Sequence, residues 1–350
     1  VANELPALAP DRLQVLVFGP GTGELVVVRA PPNDWMVIDG CRIGTTSYGL
    51  RTIEHYGAKS NVRLVALSHP HLDHAGGFAE LVDAVAPTAS PTWPLLGLLW
   101  PAPLTGRVSR DAATAFREAR VHQALASIRG RWRRRPTCRW PMNRGDERRL
   151  GDARVRVLSP TTAARDRAFA AWAGARRHDD NQVATALEVQ WHGRRLVLGA
   201  DLVERPGSGW SAVLTFDRNV VRHAGLKVPH HGSDAALHDP LLAKHDRLSR
   251  TFVVTPFASR DLPRFGAKEG VGRLLAVAPE VHLTALPRDH DRQAGTPLRV
   301  RRSALARHGK SWAIDPLTPG FPDCWVMLEL AKTGTPTIVH GRGSVVVTRG

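Results

Sequence analysis

The stretch "ALSHPHLDHAGGF" (66–78) places His69, His71, Asp73 and His74 within six residues. It runs on from "VRLVALS" (62–68), an apolar run that predicts a buried strand, and leads into "GGFAELVDAV" (76–85), which predicts a helix. His69 and His71 stand two apart at a strand end, so both can point to one side. Asp73 and His74 follow in the turn and can face a second point nearby. Imidazole nitrogens and carboxylate oxygens are ligands of borderline divalent cations such as Zn²⁺, Mn²⁺ or Fe²⁺. A chance cluster among the 16 histidines is the bland alternative. It fares poorly against four specified residues in a strand–loop–helix context.

Working outward, "LQVLVF" (13–18), "LVVVRA" (25–30) and "WMVID" (35–39) predict strands, and "YGLRTIEHYG" (48–57) a short helix. Strands return at 153–160, 183–191 and 194–201 ("RRLVLGAD"), then at 225–233 ("GLKVPHHGS"), 250–257 and 280–286, with a helix over 269–277. "CWVMLEL" (324–330), "PTIVH" (336–340) and "SVVVTR" (344–349) are further strand candidates. Asp201 and the pair His230–His231 each close an apolar strand, as the first histidine cluster does. Three such strand ends meeting at one sheet edge would supply two metals bridged by a carboxylate, an arrangement that hydrolyses phosphoesters. Strands in hairpins at both ends with helices between them predict an α/β fold, a sheet sandwich covered by helices. "GPGTGE" (19–24) lacks the Lys-Ser/Thr of a nucleotide loop and reads as a hairpin turn.

Residues 87–151 read as an insertion in a single domain spanning 1–350, and 287–350 as a C-terminal extension packed on the core. Within the insertion, 111–129 predicts a helix, and "RGRWRRRPTCRWPMNRGDERR" (129–149) interleaves Arg with Trp132 and Trp140. Guanidiniums along a phosphate backbone with Trp faces for stacking suit a nucleic-acid strand, making Trp132, Arg133, Arg134 and Arg135 candidate substrate contacts. The alternative is a solvated Arg loop whose Trp residues pack into the core. The segment "WPLLGLLWPAP" (93–103) fits a lid, a dimer contact or a core piece.

Over the 350 residues, 43% are hydrophobic and 23% charged, which are globular values. The balance of 48 basic against 32 acidic residues gives +16, which favours polyanionic partners. Nearly all the basic residues are Arg, in a chain also rich in Ala, Gly and Pro, so a compositional habit would raise the charge too. Cys41, Cys138 and Cys324 form neither a disulfide framework nor a CxxC pair. With no opening signal segment and no apolar run long enough to span a bilayer, a reduced, cytoplasmic protein without a membrane partner is expected.

"SHPHLDHAGG" resembles the HxHxDH signature of the metallo-β-lactamase superfamily. "RRLVLGADL" and "LKVPHHGS" are similar to the later motifs of its ComEC-type branch, the DNA-uptake competence proteins and their soluble relatives. "VLVFGPGTGELVVV" with "MVIDG" resembles that branch's first hairpin, Gly21-Thr22-Gly23-Glu24 standing at its Gly-x-Gly-acid turn. The resemblance covers roughly 13–86 and 153–286. It implies an αββα sandwich, two divalent metal ions (Zn or Mn) at one sheet edge, and phosphodiester hydrolysis with DNA as substrate. It implies His69 and His71 on the first metal, Asp73 and His74 on the second, Asp201 as bridge and His231 as the last ligand. His178, near the place of a further histidine ligand, is a candidate for the first metal. Asp73 would orient the attacking water or take its proton, and His230, Lys227 or a nearby Arg would steady the leaving oxygen. Ser233 is a candidate phosphate contact. The chain departs from the branch at "PRFGAKEG" (263–270), which lacks its histidine.

The leading function is thus a metal-dependent nuclease acting on DNA. The runner-up is a hydrolase of small phosphodiesters, lactones or other esters, since fold does not fix function. A non-catalytic nucleic-acid-binding or assembly protein ranks last, because it predicts damaged ligands. A regulatory protein partner or self-association is compatible with the sequence.

Overall fold

The computed structural model describes residues 5–87, 93–98, 112–173, 179–243, 250–287, 298–302 and 324–349. The first strands are β1 (Leu13–Phe18), β2 (Leu25–Ala30) and β3 (Asp34–Ile38), followed by a small hairpin, β4 (Arg42–Ile43) and β5 (Thr46–Ser47). The helix α1 (Tyr48–His55) leads to β6 (Val62–Leu67). One turn, α2 (Leu72–Ala75), then α3 (Phe78–Val85) follow the histidine cluster. Next come β7 (Leu95–Leu98), the helix α4 (Ala112–Arg133) and β8 (Arg139–Trp140).

The second half builds β9 (Glu147–Leu150), β10 (Ala153–Val157), the helix α5 (Thr162–Ala173), β11 (Leu187–Trp191) and β12 (Arg194–Leu198). It continues through α6 (Gly209–Phe216), β13 (Gly225–Lys227), α7 (Asp239–Leu242), β14 (Thr251–Val254), α8 (Gly270–Leu275) and β15 (Glu280–Leu283). The last strands are β16 (Leu298–Arg302), β17 (Trp325–Leu330), β18 (Thr337–His340) and β19 (Val345–Arg349).

Two large sheets result, ordered β18-β17-β1-β2-β3-β6-β7-β8 and β16-β19-β15-β14-β13-β12-β11-β10-β9. Strand alternation sorts the apolar side chains into three cores. Leu13, Val15 and Val17 of β1 meet Val155, Val157 and Leu196 between the sheets. Leu16 and Phe18, on the other face, pack with Phe78, Leu81 and Val85 of α3 and with Ile128 and Trp132 of α4. Val197, Leu226, Phe252 and Val254 face Trp210, Leu241 and Leu274 of α6, α7 and α8. Both faces of the central strands are therefore covered, which explains their unbroken apolar runs. The layers are helix, sheet, sheet, helix, as expected from the sequence.

The regions expected as an insertion and as an extension both contribute strands to the sheets, and one strand begins later than expected. The region read as an insertion supplies β7 and β8, which extend the first sheet in parallel from β6, and β9, which borders the second. The region read as an extension supplies β17, paired along its full length with β1, and β19, paired with β15. All six residues of β17 are buried, so this strand is interior structure. The strand expected over 183–191 begins only at Leu187; Asp180–Val183 form a 3₁₀ turn whose Asn181 N–H donates to the Asp179 carboxylate at 3.2 Å.

β3 and β6 run parallel, as do β12, β13 and β14. Their carboxyl ends carry Asp39, His69, Asp201, His230 and His231, and Thr255. The carboxyl ends of parallel strands are the usual place for a ligand.

Candidate metal centre

Close backbone approach brings the first cluster into place. Gly40 N–H donates to the carbonyl of His74 at 2.6 Å, and a Cβ on Gly40 would meet the Gly76 carbonyl at 2.1 Å. Gly77 holds φ +80°, a left-handed conformation that glycine adopts without strain, and starts α3. Gly40, where a Cβ would strike the Gly76 carbonyl, and Gly77, with its left-handed backbone, are thus what lets the loop fold down onto the end of β3.

Three histidines are locked by one ring nitrogen each. Ser68 donates its hydroxyl to Asp39 Oδ2 at 2.8 Å and so accepts from His69 Nδ1 at 3.1 Å. His74 Nδ1 donates to Asp39 Oδ2 at 2.7 Å. His231 Nδ1 donates to the Thr255 carbonyl at 3.0 Å. In each case Nδ1 is bonded to the protein and Nε2 faces the carboxylates, the atom that would bind a metal once the imidazole is neutral.

Those Nε2 atoms converge with carboxylates in two sets. His74 Nε2 lies 3.5 Å from Asp73 Oδ2 and 3.4 Å from Asp201 Oδ1. His231 Nε2 lies 3.4 Å from Asp73 Oδ2 and 3.5 Å from Asp201 Oδ2. Ligand atoms at about 2.1 Å from a tetrahedral ion stand about 3.4 Å apart, so these spacings are those of a ligand shell. His69 Nε2 stands 3.1 Å from His71 Nδ1 and 3.8 Å from Asp201 Oδ2, forming the second set. Asp201 is common to both, and the ligand-type atoms of Glu24, His74, Asp201 and His231 all lie within 4.8 Å of one another, as do those of His69, His71 and Asp201. His74 Nε2, His231 Nε2 and Asp201 Oδ1 are buried with no hydrogen-bond partner. A buried polar atom left alone costs about 1–3 kcal/mol, and a divalent cation is the partner this donor set fits.

The electrostatics agree. Burial alone would lower the His74 imidazole, but Asp201, Asp73 and Asp39 outweigh it and hold it well above its ordinary value. His231 is raised too, Asp201 overcoming its burial. His69 is pushed well below, by burial first and then by His74 and His71. Burial would raise Asp201, yet His231 and His74 bring it well below the usual carboxylate range.

His230 and His231 both adopt left-handed backbone conformations, φ 45° and 54°, rare for residues with a side chain. This turn aims the two rings apart: His231 inward, His230 toward the rim with its side chain 15% exposed. His230 Nε2 accepts from Asn181 Nδ2 at 3.1 Å, and its Nδ1 bonds Ser233 Oγ at 2.7 Å. Burial lowers His230, so it stays neutral near pH 7.

Of the residues expected from the sequence, His69, His71, Asp73, His74, Asp201 and His231 lie together here, with His230 and Ser233 beside them. His178 lies outside the described residues. Two expectations are corrected. Lys227 is fully buried with Nζ 2.5 Å from Glu24 Oε2, leaving it no path to a substrate. Trp132 is 2% exposed with its ring centroid 4.4 Å from that of Trp93, and Trp140 is 1% exposed, so neither offers a face for stacking. Arg133 and Arg134 are exposed at the end of α4, and the Arg135 guanidinium lies 4.3 Å over the Trp93 ring. Asp39, Glu24, Thr255 and Asn181 were not singled out as site residues. Asp39 carried the same signal as Asp201, an aspartate closing an apolar strand; Thr255 and Asn181 carried none.

A helix-covered double sheet with imidazoles and carboxylates gathered at its strand ends defines a metal-dependent hydrolase class. The family model for the metallo-β-lactamase superfamily matches residues 19–244, and the chain belongs to that superfamily. No curated protein matches. Among solved structures, the chain is similar to a metallo-β-lactamase with a HARLDQ motif from Cronobacter sakazakii, at 17% identity and TM-score 0.29. That match covers 58% of this chain and 63% of the other, so the chain spans less than two thirds of it. It is also similar to the metallo-β-lactamase fold protein YhfI from Bacillus subtilis (12% identity, 62% and 71% covered, TM-score 0.33). A third is the long form RNase Z from yeast (10% identity, 70% and 36% covered, TM-score 0.40). No helix among the described residues is long and apolar enough to cross a membrane.

Proposed function

We propose that this protein is a metal-dependent phosphodiesterase acting on nucleic acid, with DNA as its substrate class. The observation that carries the reading is the sharing of Asp201 between two sets of ligand-type side chains, His69/His71 and Glu24/His74/His231, with the Asp73 carboxylate 3.5 Å from His74 Nε2 and 3.4 Å from His231 Nε2. Two divalent cations held there would activate water near pH 7 and neutralise charge on the phosphoryl oxygens. The chain's own groups then divide the remaining work. Asp73, lowered below the usual carboxylate range because His74 and His231 outweigh its burial, is ionised and placed to orient water or take its proton. His230 stands 3.9 Å from Asp201 Oδ2 at the edge of the ligand sets, its ring held by Asn181 and Ser233; to protonate a leaving oxygen it would first have to take up a proton and give up its bond from Asn181. Ser233 acts by fixing that ring. The +16 charge and the exposed Arg133 and Arg134 favour a polyanion. The similarity of "KVPHHGS" to the ComEC-type branch points to DNA.

The test is incubation of purified protein with Mn²⁺ or Zn²⁺ and plasmid, single-stranded DNA, RNA or a small phosphodiester, beside a D73A/H74A variant. Metal-dependent cleavage of DNA by the wild type and none by the variant is expected. Cleavage of the small ester alone would sink the nuclease reading, and equal cleavage by the variant would sink the site.

A further inference from the structure

Glu24 and Lys227 form an ion pair out of reach of solvent, their side chains 1% and 0% exposed. A buried pair rarely adds stability over an apolar one of the same shape, so its position calls for an explanation. Glu24 sits on the turn between β1 and β2, in the first sheet; Lys227 ends β13, in the second. The same Glu24 Oε2 accepts from Thr255 Oγ1 at 2.6 Å and lies 3.8 Å from His231 Nδ1. Thr255 is the residue that holds His231. The Glu24 N–H donates to the Asp73 carbonyl at 2.9 Å, and Lys227 Nζ donates to the carbonyl of Ala200, next to Asp201, at 3.1 Å. One ion pair thus touches the main chain of Asp73, the neighbour of Asp201 and the support of His231. Asp73 and His74 come from the first sheet, Asp201 and His231 from the second, and their ligand atoms must stay about 3.4 Å apart to share one ion.

We propose that Glu24 and Lys227 are positioning residues that clasp the two sheets across the metal centre and set the geometry of the Asp73/His74/Asp201/His231 set. This rests on reading that cluster as a metal centre. The competing role, Glu24 as a ligand in its own right, has geometry in its favour, since Glu24 also groups with His74, Asp201 and His231. Lys227 separates the two: freeing Glu24 from it would tighten a metal that Glu24 ligates and loosen one that the clasp positions.

The test is a Zn²⁺ titration of the metal-free full chain against a chromophoric chelator, giving stoichiometry and both affinities for wild type, E24Q, K227M and E24Q/K227M. Thermal unfolding in excess chelator reports the fold separately. Both single variants are expected to weaken one of the two metals about 10–100-fold and to leave the other within a few-fold. The double variant, with no unpaired buried charge, is expected to unfold closer to wild type than either single variant while still binding that metal weakly. Tighter binding by K227M would overturn the proposal in favour of Glu24 ligation. Wild-type affinities in the single variants, or equal weakening of both metals, would overturn it outright. A wild-type chain that takes up no metal would remove the metal centre, and the clasp with it.

Discussion

Each of His69, His74 and His231 has one ring nitrogen held by the protein, through Ser68, Asp39 and Thr255, and one turned toward Asp201. The consequence is a pH dependence with a definite sign. In the metal-free chain His74 and His231 are raised above the ordinary histidine value, so they contribute stability fully present below about pH 6.5 and lost as pH rises through their raised values. Asp73 and Asp201 are depressed, and their contribution is present above about pH 4 and lost as pH falls through their lowered values. Metal requires the neutral imidazole, so its binding displaces the protons of His74 and His231. Calorimetric titrations in buffers of different ionisation enthalpy should therefore show proton release near pH 7. The gain in Tm on adding metal should widen as pH rises from 6.5. A gain that shrinks over that range would contradict the assignment of His74 and His231.

At the scale of elements, α4 separates two roles that the sequence joined. Trp132 is core, packed with Trp93, while Arg133 and Arg134 beyond it are exposed. W132A should lower stability by about 3–5 kcal/mol, read by denaturant unfolding, with little change in DNA affinity per folded molecule. R133A/R134A should leave Tm within a degree or two and reduce the slope of log affinity against log salt by up to about 1.8. An unchanged slope would take α4 out of the nucleic-acid path. The strands ending in His69, Asp201 and His231 were legible because apolar runs closed by ligand-type residues are a local pattern. Trp132 was not, because whether an aromatic between arginines faces core or solvent depends on the partner helix. Lys227 was misread for the same reason: its partner, Glu24, lies 203 positions away in sequence.

Over the whole molecule, the last strands close both sheets. β17 lies between β1 and β18, and β19 lies between β15 and β16. Their membership could not be read from an apolar pattern, since a strand packed outside a core and one paired inside it look alike in sequence. Deleting 324–350 removes the neighbour of β1 and exposes its full edge, so the truncated chain should fail to give a cooperative unfolding transition by circular dichroism. A truncated chain that melts like the whole would show that these strands are dispensable for the fold. Metal should also act on the whole fold: at a free concentration of about 100 times its Kd, one ion adds about 2.7 kcal/mol, which chelator should reverse.

The central claim is that Asp201 joins two metal positions. Anomalous diffraction from crystals grown with Zn²⁺ or Mn²⁺ tests it most directly. Two peaks about 3.5–4 Å apart are predicted, one beside His69 and His71, the other among Asp73, His74 and His231, with Asp201 between them. A single peak, or two that leave Asp201 uncoordinated, would contradict the account.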